Sequence, residues 1–321
     1  MIDKMRRDIH YLRLSVTDRC NLRCAYCMPA DGVERMSHAD ILTFEEIEHL
    51  MRLLALLGVR RVKVTGGEPF VRRGTPELIR KLKRLPGIEQ VTVTTNGILL
   101  KDHLDEIVCA GADGVNVSLD TLNRENYRRL TGADDLNRVL ESVTAAAAAL
   151  PVKLNVVPMR GVNEGELEGL AAMAKRDVVA VRFIELMPVG RAKRFAHLDT
   201  ASVKAALEAR FGAMEPCDDR LGNGPAAYFR LPGFSGRIGF IHAMSEVFCE
   251  GCNRVRLTAD GRLMPCLGRP DFTDMKGLLR GGASGRALLA ALERGIAEKP
   301  ARHGFLDEAR CAGRDMNEIG G

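Results

Sequence analysis

A chain of 321 residues with 47 basic and 42 acidic side chains carries a net charge of only +5, spread along its length rather than gathered in a run. That balance argues against a dedicated nucleic-acid binder, and 5% aromatic residues with no Trp leave no platform of rings for stacking single strands. The length can bury a large core without covalent or metal staples, so stability alone does not explain nine cysteines.

The first sixteen residues, "MIDKMRRDIHYLRLSV", are charged and lack the apolar stretch of a signal peptide, and no later run approaches membrane-spanning length. The expectation is a soluble, cytoplasmic protein. In that reducing compartment thiols serve as metal ligands or apolar fillers rather than disulfide partners.

From Tyr11 onward one phrase repeats: a short β-branched run, a turn, then a helical pattern. Strands are expected at "YLRLSVT" from Tyr11, "RRVKVTG" from Arg60, "QVTVTTN" from Gln90, "GVNVSLD" from Gly114, "VKLNVVP" from Val152 and "AVRFIELMP" from Ala180. Between the first two, Thr43 and Glu46 have capping-box spacing, Ile47, Leu50, Met51, Leu54 and Leu57 form one apolar face, and Gly58 ends the helix. Thr75-Pro76 opens a second helix, and "LNRVLESVTAAAAAL" reads as a longer one. Alternation of this kind implies parallel strands with right-handed crossovers, in a barrel or an open sheet.

Polar residues gather where the strand patterns end, which is where both architectures place active sites, so one cavity is expected to collect them. After about Arg191 the phrase stops. A helical stretch to about Phe211 and a Gly/Pro-rich region of short strands and turns follow, placing a domain change near Gly212, with domains at 1–212 and 213–321.

Cys20, Cys24 and Cys27 fall in a C-x3-C-x2-C arrangement just after the first strand. Structural zinc usually closes its tetrahedron with four protein ligands, whereas three thiolates on a cubane iron–sulfur cluster leave one iron open to a small molecule. A second trio, Cys249, Cys252 and Cys266, stands in "FCEGCNRVRLTADGRLMPCLG". Here Cys311 could complete a zinc site. Arg254 and Arg256, however, alternate on one face of a strand-like run, and planar guanidiniums suit phosphate oxygens. Cys109, within "HLDEIVCAGA", is expected to be a buried small residue, and Cys217 and Cys311 have no assigned role.

"CNLRCAYC" and "TGGEP" (65–69) resemble the signature and methionine-binding loop of the radical S-adenosylmethionine (SAM) enzymes. The second trio, "TTNG", "RFIELMPVG", "KPARHGF" and the terminal "DMNEIGG" narrow the resemblance to the GTP 3',8-cyclases of molybdenum cofactor biosynthesis, over nearly the whole chain.

The resemblance implies an α/β fold, an incomplete (βα)6 TIM-like barrel with a smaller C-terminal domain carrying the second iron–sulfur cluster. It also implies two [4Fe-4S] clusters and SAM as cofactors. Cys20, Cys24 and Cys27 would hold one cluster and Cys249, Cys252 and Cys266 the other. Tyr26, Gly67, Ser118 and Met187, with Asn96, would contact SAM, and Glu68 could accept a hydrogen bond from its ammonium. Arg13, Lys63, Thr94, Lys153, Arg182, Arg254, Val255 and Arg256 would bind GTP. Arg254, Arg256, Gly320 and Gly321 would act in the active site.

Where the family usually has Arg, this chain has Lys63, with Arg61 two residues earlier. Both charges lie on one strand face and are expected to serve the triphosphate.

The implied reaction is that of a lyase: a 5'-deoxyadenosyl radical takes hydrogen from the ribose C3', which then bonds to guanine C8. The product is 3',8-cyclo-7,8-dihydro-GTP. An electron donor of flavodoxin or ferredoxin type is implied, with the next enzyme of the pathway as a further partner and a monomer or homodimer as the assembly. A radical SAM enzyme acting on peptide or RNA, and a zinc protein binding nucleic acid, are the rival readings.

Overall fold

The β-branched runs fold into six parallel strands in chain order. They are β1 (Tyr11–Ser15), β2 (Arg61–Thr65), β3 (Gln90–Thr95), β4 (Val115–Ser118), β5 (Val152–Val156) and β6 (Ala180–Ile184). The computed structural model describes residues 1–34, 36–176, 178–219, 221–305 and 315–320.

Strand alternation decides which side chains face which layer. Leu12, Leu14, Val62, Val64, Val91, Val93, Val115, Val117, Leu154 and Val181 are fully buried beneath the helices. Arg13, Lys63, Thr92, Thr94, Asn116, Lys153 and Arg182 occupy the intervening positions on the concave face.

The outer layer is α1 (Phe44–Leu56), α2 (Thr75–Lys83), α3 (Leu104–Cys109), α4 (Arg124–Thr131), α5 (Leu136–Ala147) and α6 (Leu167–Ala172). α1 starts where its sequence says it should: Thr43 Oγ1 accepts from Glu46 N at 3.1 Å, and the Glu46 carboxylate accepts from Thr43 N at 2.7 Å. Gly58 follows its last turn with φ of 90°, a conformation that favours glycine.

After α7 (Thr200–Phe211), β7 (Glu215–Cys217) and β8 (Ala227–Arg230) pair antiparallel, and β9 (Arg237–Ile241) returns parallel to β6. β10 (Arg254–Leu257) then docks parallel to β1 at the opposite edge, with Tyr11 beside Arg254 and Arg13 beside Arg256. β11 (Arg262–Met264) and β12 (Thr273–Asp274) complete a twelve-stranded sheet ordered β12-β11-β10-β1-β2-β3-β4-β5-β6-β9-β8-β7. Residues beyond the sixth strand thus extend both edges of one sheet. α8 (Met275–Arg280) and α9 (Gly285–Ala297) cover the β11 side, and α10 (Met316–Ile319) lies near the end of the chain. Among the described residues no helix is long and apolar enough to cross a membrane.

Candidate active site

Cys20, Cys24 and Cys27 occupy the loop leaving the C-terminal end of β1, and the glycine loop leaving β2 is laced to it. Gly67 N donates to Thr17 O at 2.7 Å and Glu68 N to Arg19 O at 2.8 Å. A Cβ on Gly66 would meet Thr17 O at 2.7 Å, and one on Gly67 would collide with Arg19 O. The glycines therefore serve a backbone-on-backbone approach.

Glu68 is fully buried. Its carboxylate accepts from Thr95 Oγ1 (2.8 Å), Asn96 N (2.7 Å) and Phe70 N (3.2 Å), and burial raises it to about 7. The side chain expected to meet an ammonium is thus engaged by the loops of β2 and β3. Asn96 donates from Nδ2 to Asn21 Oδ1 at 2.8 Å and reaches Cys20 Sγ at 3.8 Å, so it borders the first cysteine set.

Burial, with repulsion from one another, pushes the thiols up: Cys24 far above the ordinary range and Cys27 to about 12. Without a cationic ligand these sulfurs stay protonated; iron would ionise them. Among the described residues no three His, Cys, Asp or Glu side chains are placed to hold a single metal ion. Three thiols from one compact loop suit a cluster with an open iron.

Tyr26 donates its hydroxyl to Asp120 Oδ2 at 2.7 Å. Asp120 also accepts from Val157 N at 2.8 Å, and burial raises it to about 6. Ser118 ends β4 on the channel-facing register, and Met187 packs among Val189, Met264, Phe305 and Ile319. Tyr26, Gly67, Asn96 and Ser118 therefore lie around the C-terminal ends of β1 to β4.

The concave face holds cations where such barrels usually pack branched aliphatics. Lys63, Lys153, Arg182 and Arg256 are each less than a tenth exposed. Burial, then Arg182, Arg13 and Lys153, drive Lys63 well below the usual lysine range. Burial and Arg182 bring Lys153 down to about 8. Burial, with Arg13 and Arg254, likewise disfavours the charged form of Arg256. Among the described residues no carboxylate pairs with Lys63, Lys153, Arg182 or Arg256, and Arg182 Nε is buried without a partner. Buried like charges without compensation call for an anion.

Thr94 Oγ1 accepts from Asn116 Nδ2 at 3.4 Å on the same face. Val255 is different: its side chain is in the hydrophobic core, so only its backbone lies alongside its arginine neighbours. Arg61 is corrected too. It stands at the first position of β2, and its head lies 3.9 Å from Glu89 at the surface, leaving Lys63 alone of the pair inside.

Cys249 and Cys252 precede β10, and Cys266 follows β11. Asn253 Nδ2 lies 3.1 Å from His10 Nε2, just before β1. The second cysteine set therefore sits toward the N-terminal ends of the strands, opposite the first. The polar residues expected together at the strand C-termini thus form one end of a channel, and the second cysteines lie toward its other end. β10 causes this: it enters the sheet in the same direction as β1, so the residues before it lie at the sheet's other end. Here burial pushes the Cys252 thiol up, but Arg254 and Lys299 outweigh it and bring it down to about 7.

The tail reaches the channel. Arg256 Nη1 donates to Gly320 O at 2.7 Å, Asn317 Nδ2 reaches Asp18 O at 3.4 Å, and a Cβ on Gly320 would come within 2.9 Å of the Ser15 Cβ. Gly321 and Cys311 lie outside the described residues. Cys109, expected inside, is exposed: Ile107 carries the buried face of α3, and a two-residue step turns Cys109 away from it. Cys217 lies half-buried on β7.

Asp120, Arg7 and Lys299 are buried or nearly so beside the site residues without having been singled out from sequence. "SLD" and "KPARHGF" held the signal for two of them.

Residues 14–174 match the family model of the Radical SAM superfamily, and residues 179–305 match that of Molybdenum Cofactor Synthesis C. The GTP 3',8-cyclase of Pelotomaculum thermopropionicum is 45% identical over 326 residues, and that of Moorella thermoacetica 45% over 325, each pair covering 100% of both chains. Among solved structures, Streptococcus suis SuiB bound to S-adenosylmethionine superposes with a TM-score of 0.60 at 16% identity, over 81% of this chain and 61% of that one, a likeness of fold. A half-open parallel barrel with two cysteine trios and relatives alike from end to end place this chain in the GTP 3',8-cyclase family of the radical SAM superfamily.

Proposed function

We propose that the cyclisation of GTP to 3',8-cyclo-7,8-dihydro-GTP, the first step of molybdopterin biosynthesis, takes place in the channel between the two cysteine sets. The observation that carries this placement is the uncompensated row of buried cations there. When bound, the first cluster with SAM supplies the 5'-deoxyadenosyl radical, and the second offers guanine an open iron.

The chain's own task is to hold sugar and base in near-attack contact. Arg13, Lys63, Lys153, Arg182, Arg254 and Arg256 bind the triphosphate from several strands, with Thr94 and the Val255 backbone beside them. Guanidiniums grip phosphate oxygens in pairs while the lysines act as point charges. Tyr26, Gly67, Asn96, Ser118 and Met187 line the SAM side, and Asp120 orients Tyr26 through its hydroxyl. Gly320, brought in beside Arg256, covers the channel and excludes water, and the resemblance gives Gly321 the same task.

The electron comes from a donor of flavodoxin or ferredoxin type. The enzyme works in the cytoplasm as a monomer or homodimer and passes its product to the next enzyme of the pathway. Anaerobic incubation with SAM, reductant and GTP, followed by chromatography and tandem mass analysis of the nucleotide, tests the reading. The expected result is the cyclised nucleotide with GTP-dependent release of 5'-deoxyadenosine. Unaltered GTP in the presence of full SAM cleavage would overturn it.

A further inference from the structure

The N-terminal turn and the residue pair Lys299-Pro300 meet behind the second cysteine set, far from it in sequence. Lys299 is 5% exposed and Arg7 6%. Lys299 Nζ donates to Arg254 O and to Pro265 O, both at 2.7 Å. Its charge also acts electrostatically on the Cys252 and Cys266 thiols. An ammonium has three N–H groups, so one remains beyond these two carbonyls. The two carbonyls belong to the residue opening β10 and to the residue just before Cys266. Lys299 thus ties together the two segments that carry the thiols.

Arg7 holds Lys299 from behind. Its Nη2 donates to Lys299 O (3.1 Å) and Pro300 O (3.0 Å), and its Nη1 donates to Cys249 O (2.9 Å). Asp3 fixes Arg7 in turn, accepting from its Nε at 2.7 Å and from its backbone N at 2.8 Å. Arg6, with φ of 60°, makes the tight turn that brings Asp3 and Arg7 together. Buried charges this well connected are costly to place and are retained where they meet an opposite charge.

We infer that Lys299 is a positioning residue of the second iron–sulfur centre: held by Arg7, it registers the Cys249–Cys252 loop against Cys266 and compensates the negative charge of the thiolate-ligated iron. The inference rests on the reading of these cysteines as cluster ligands. A buried positive charge beside the ligands favours the reduced, more negative state, so Lys299 raises the reduction potential of that centre.

The test uses the full chain with Cys20, Cys24 and Cys27 all replaced by Ala, so that only the second cluster can form. After anaerobic reconstitution, iron and sulfide are counted, and the reduced fraction is read by electron paramagnetic resonance at a series of applied potentials. Lys299→Gln keeps N–H donors for the two carbonyls and loses the charge. Its reduced-to-oxidised ratio at a given potential is expected to fall about tenfold, the scale of outer-shell changes at metal sites. Lys299→Met also loses the donors and is expected to retain less iron. Full iron and an unshifted ratio in both variants would overturn the inference. If the parent with Lys299 intact takes up no iron, the reading of the second cysteines fails first and the inference with it.

Discussion

Cys24 and Cys252 are chemically identical groups in opposite settings. Around Cys24, burial, its two neighbouring thiols and Asp120 all oppose ionisation. Around Cys252, burial is outweighed by Arg254 and Lys299. Glu68 lies near the first set, with its charge acting on Cys20; buried cations stand beside the second. Each end of the channel thus has the electrostatic sign that suits its ligand. On the function proposed, a sulfonium with an ammonium group would approach the side bearing carboxyl groups, and a triphosphate would lie along the side bearing lysine and arginine.

The largest effect that would break this comparison comes from removing one thiol at each end. Cys24→Ala is expected to abolish SAM cleavage and cyclisation together. Cys249→Ala is expected to abolish cyclisation while leaving reductive SAM cleavage measurable, because among the described residues the first loop shares no hydrogen bond with Cys249. Quantifying 5'-deoxyadenosine and cyclised nucleotide side by side reads both. Full cyclase activity in Cys249→Ala would remove the division of labour between the two ends.

Lys63 gives a smaller effect and sharpens the picture of the cationic side. A charge-assisted hydrogen bond to phosphate contributes about 1.5–3 kcal/mol, so Lys63→Ala is expected to raise the dissociation constant for GTP about tenfold or more. The lower end applies because the variant also relieves repulsion with Arg182, Arg13 and Lys153. Affinity for SAM should not change. Equilibrium binding of each ligand measures this, and unchanged GTP affinity would show that the chain's replacement for the usual arginine does not touch the triphosphate.

Local rules made much of this legible. Period-two alternation located all six strands, because each strand buries one face under helices and turns the other to the channel. The capping box at Thr43 marked the start of α1 within its own four residues. Cysteine spacing revealed both trios. What depends on distant pairing was not legible. Arg7 meets Cys249 across 242 positions, and β10 joins β1 from the far end of the chain, so no local pattern reveals that the trios sit at opposite ends of the strands. The partners of Glu68 were not legible either, because "GGEP" shows an acid beside glycines but not the Thr95 and Asn96 donors that engage it. Cys109 was taken as buried on composition, whereas helical phase turns it outward.

The smallest effect is a pH dependence confined to the cationic side. Lys153 titrates at about 8 in the fold, against an ordinary value of 10.5. Between those values the unfolded chain binds the proton and the folded chain does not, so Lys153 makes stability without GTP rise with pH across that window. Below about 8 its charge is present in both states and the burial penalty is at its fullest. Lys153→Met is therefore expected to be more stable than the parent at pH 7 and to gain less on going to pH 10. Lys63, also depressed, leaves part of the slope in place. GTP has the opposite sign: a phosphate needs the charged amine, so affinity should weaken as pH rises through 8 in the parent and less so in the variant. Denaturant midpoints without ligand, set beside GTP binding at the same pH values, read both slopes. Parallel slopes in parent and variant would mean that Lys153 is not the amine that feels both burial and the anion.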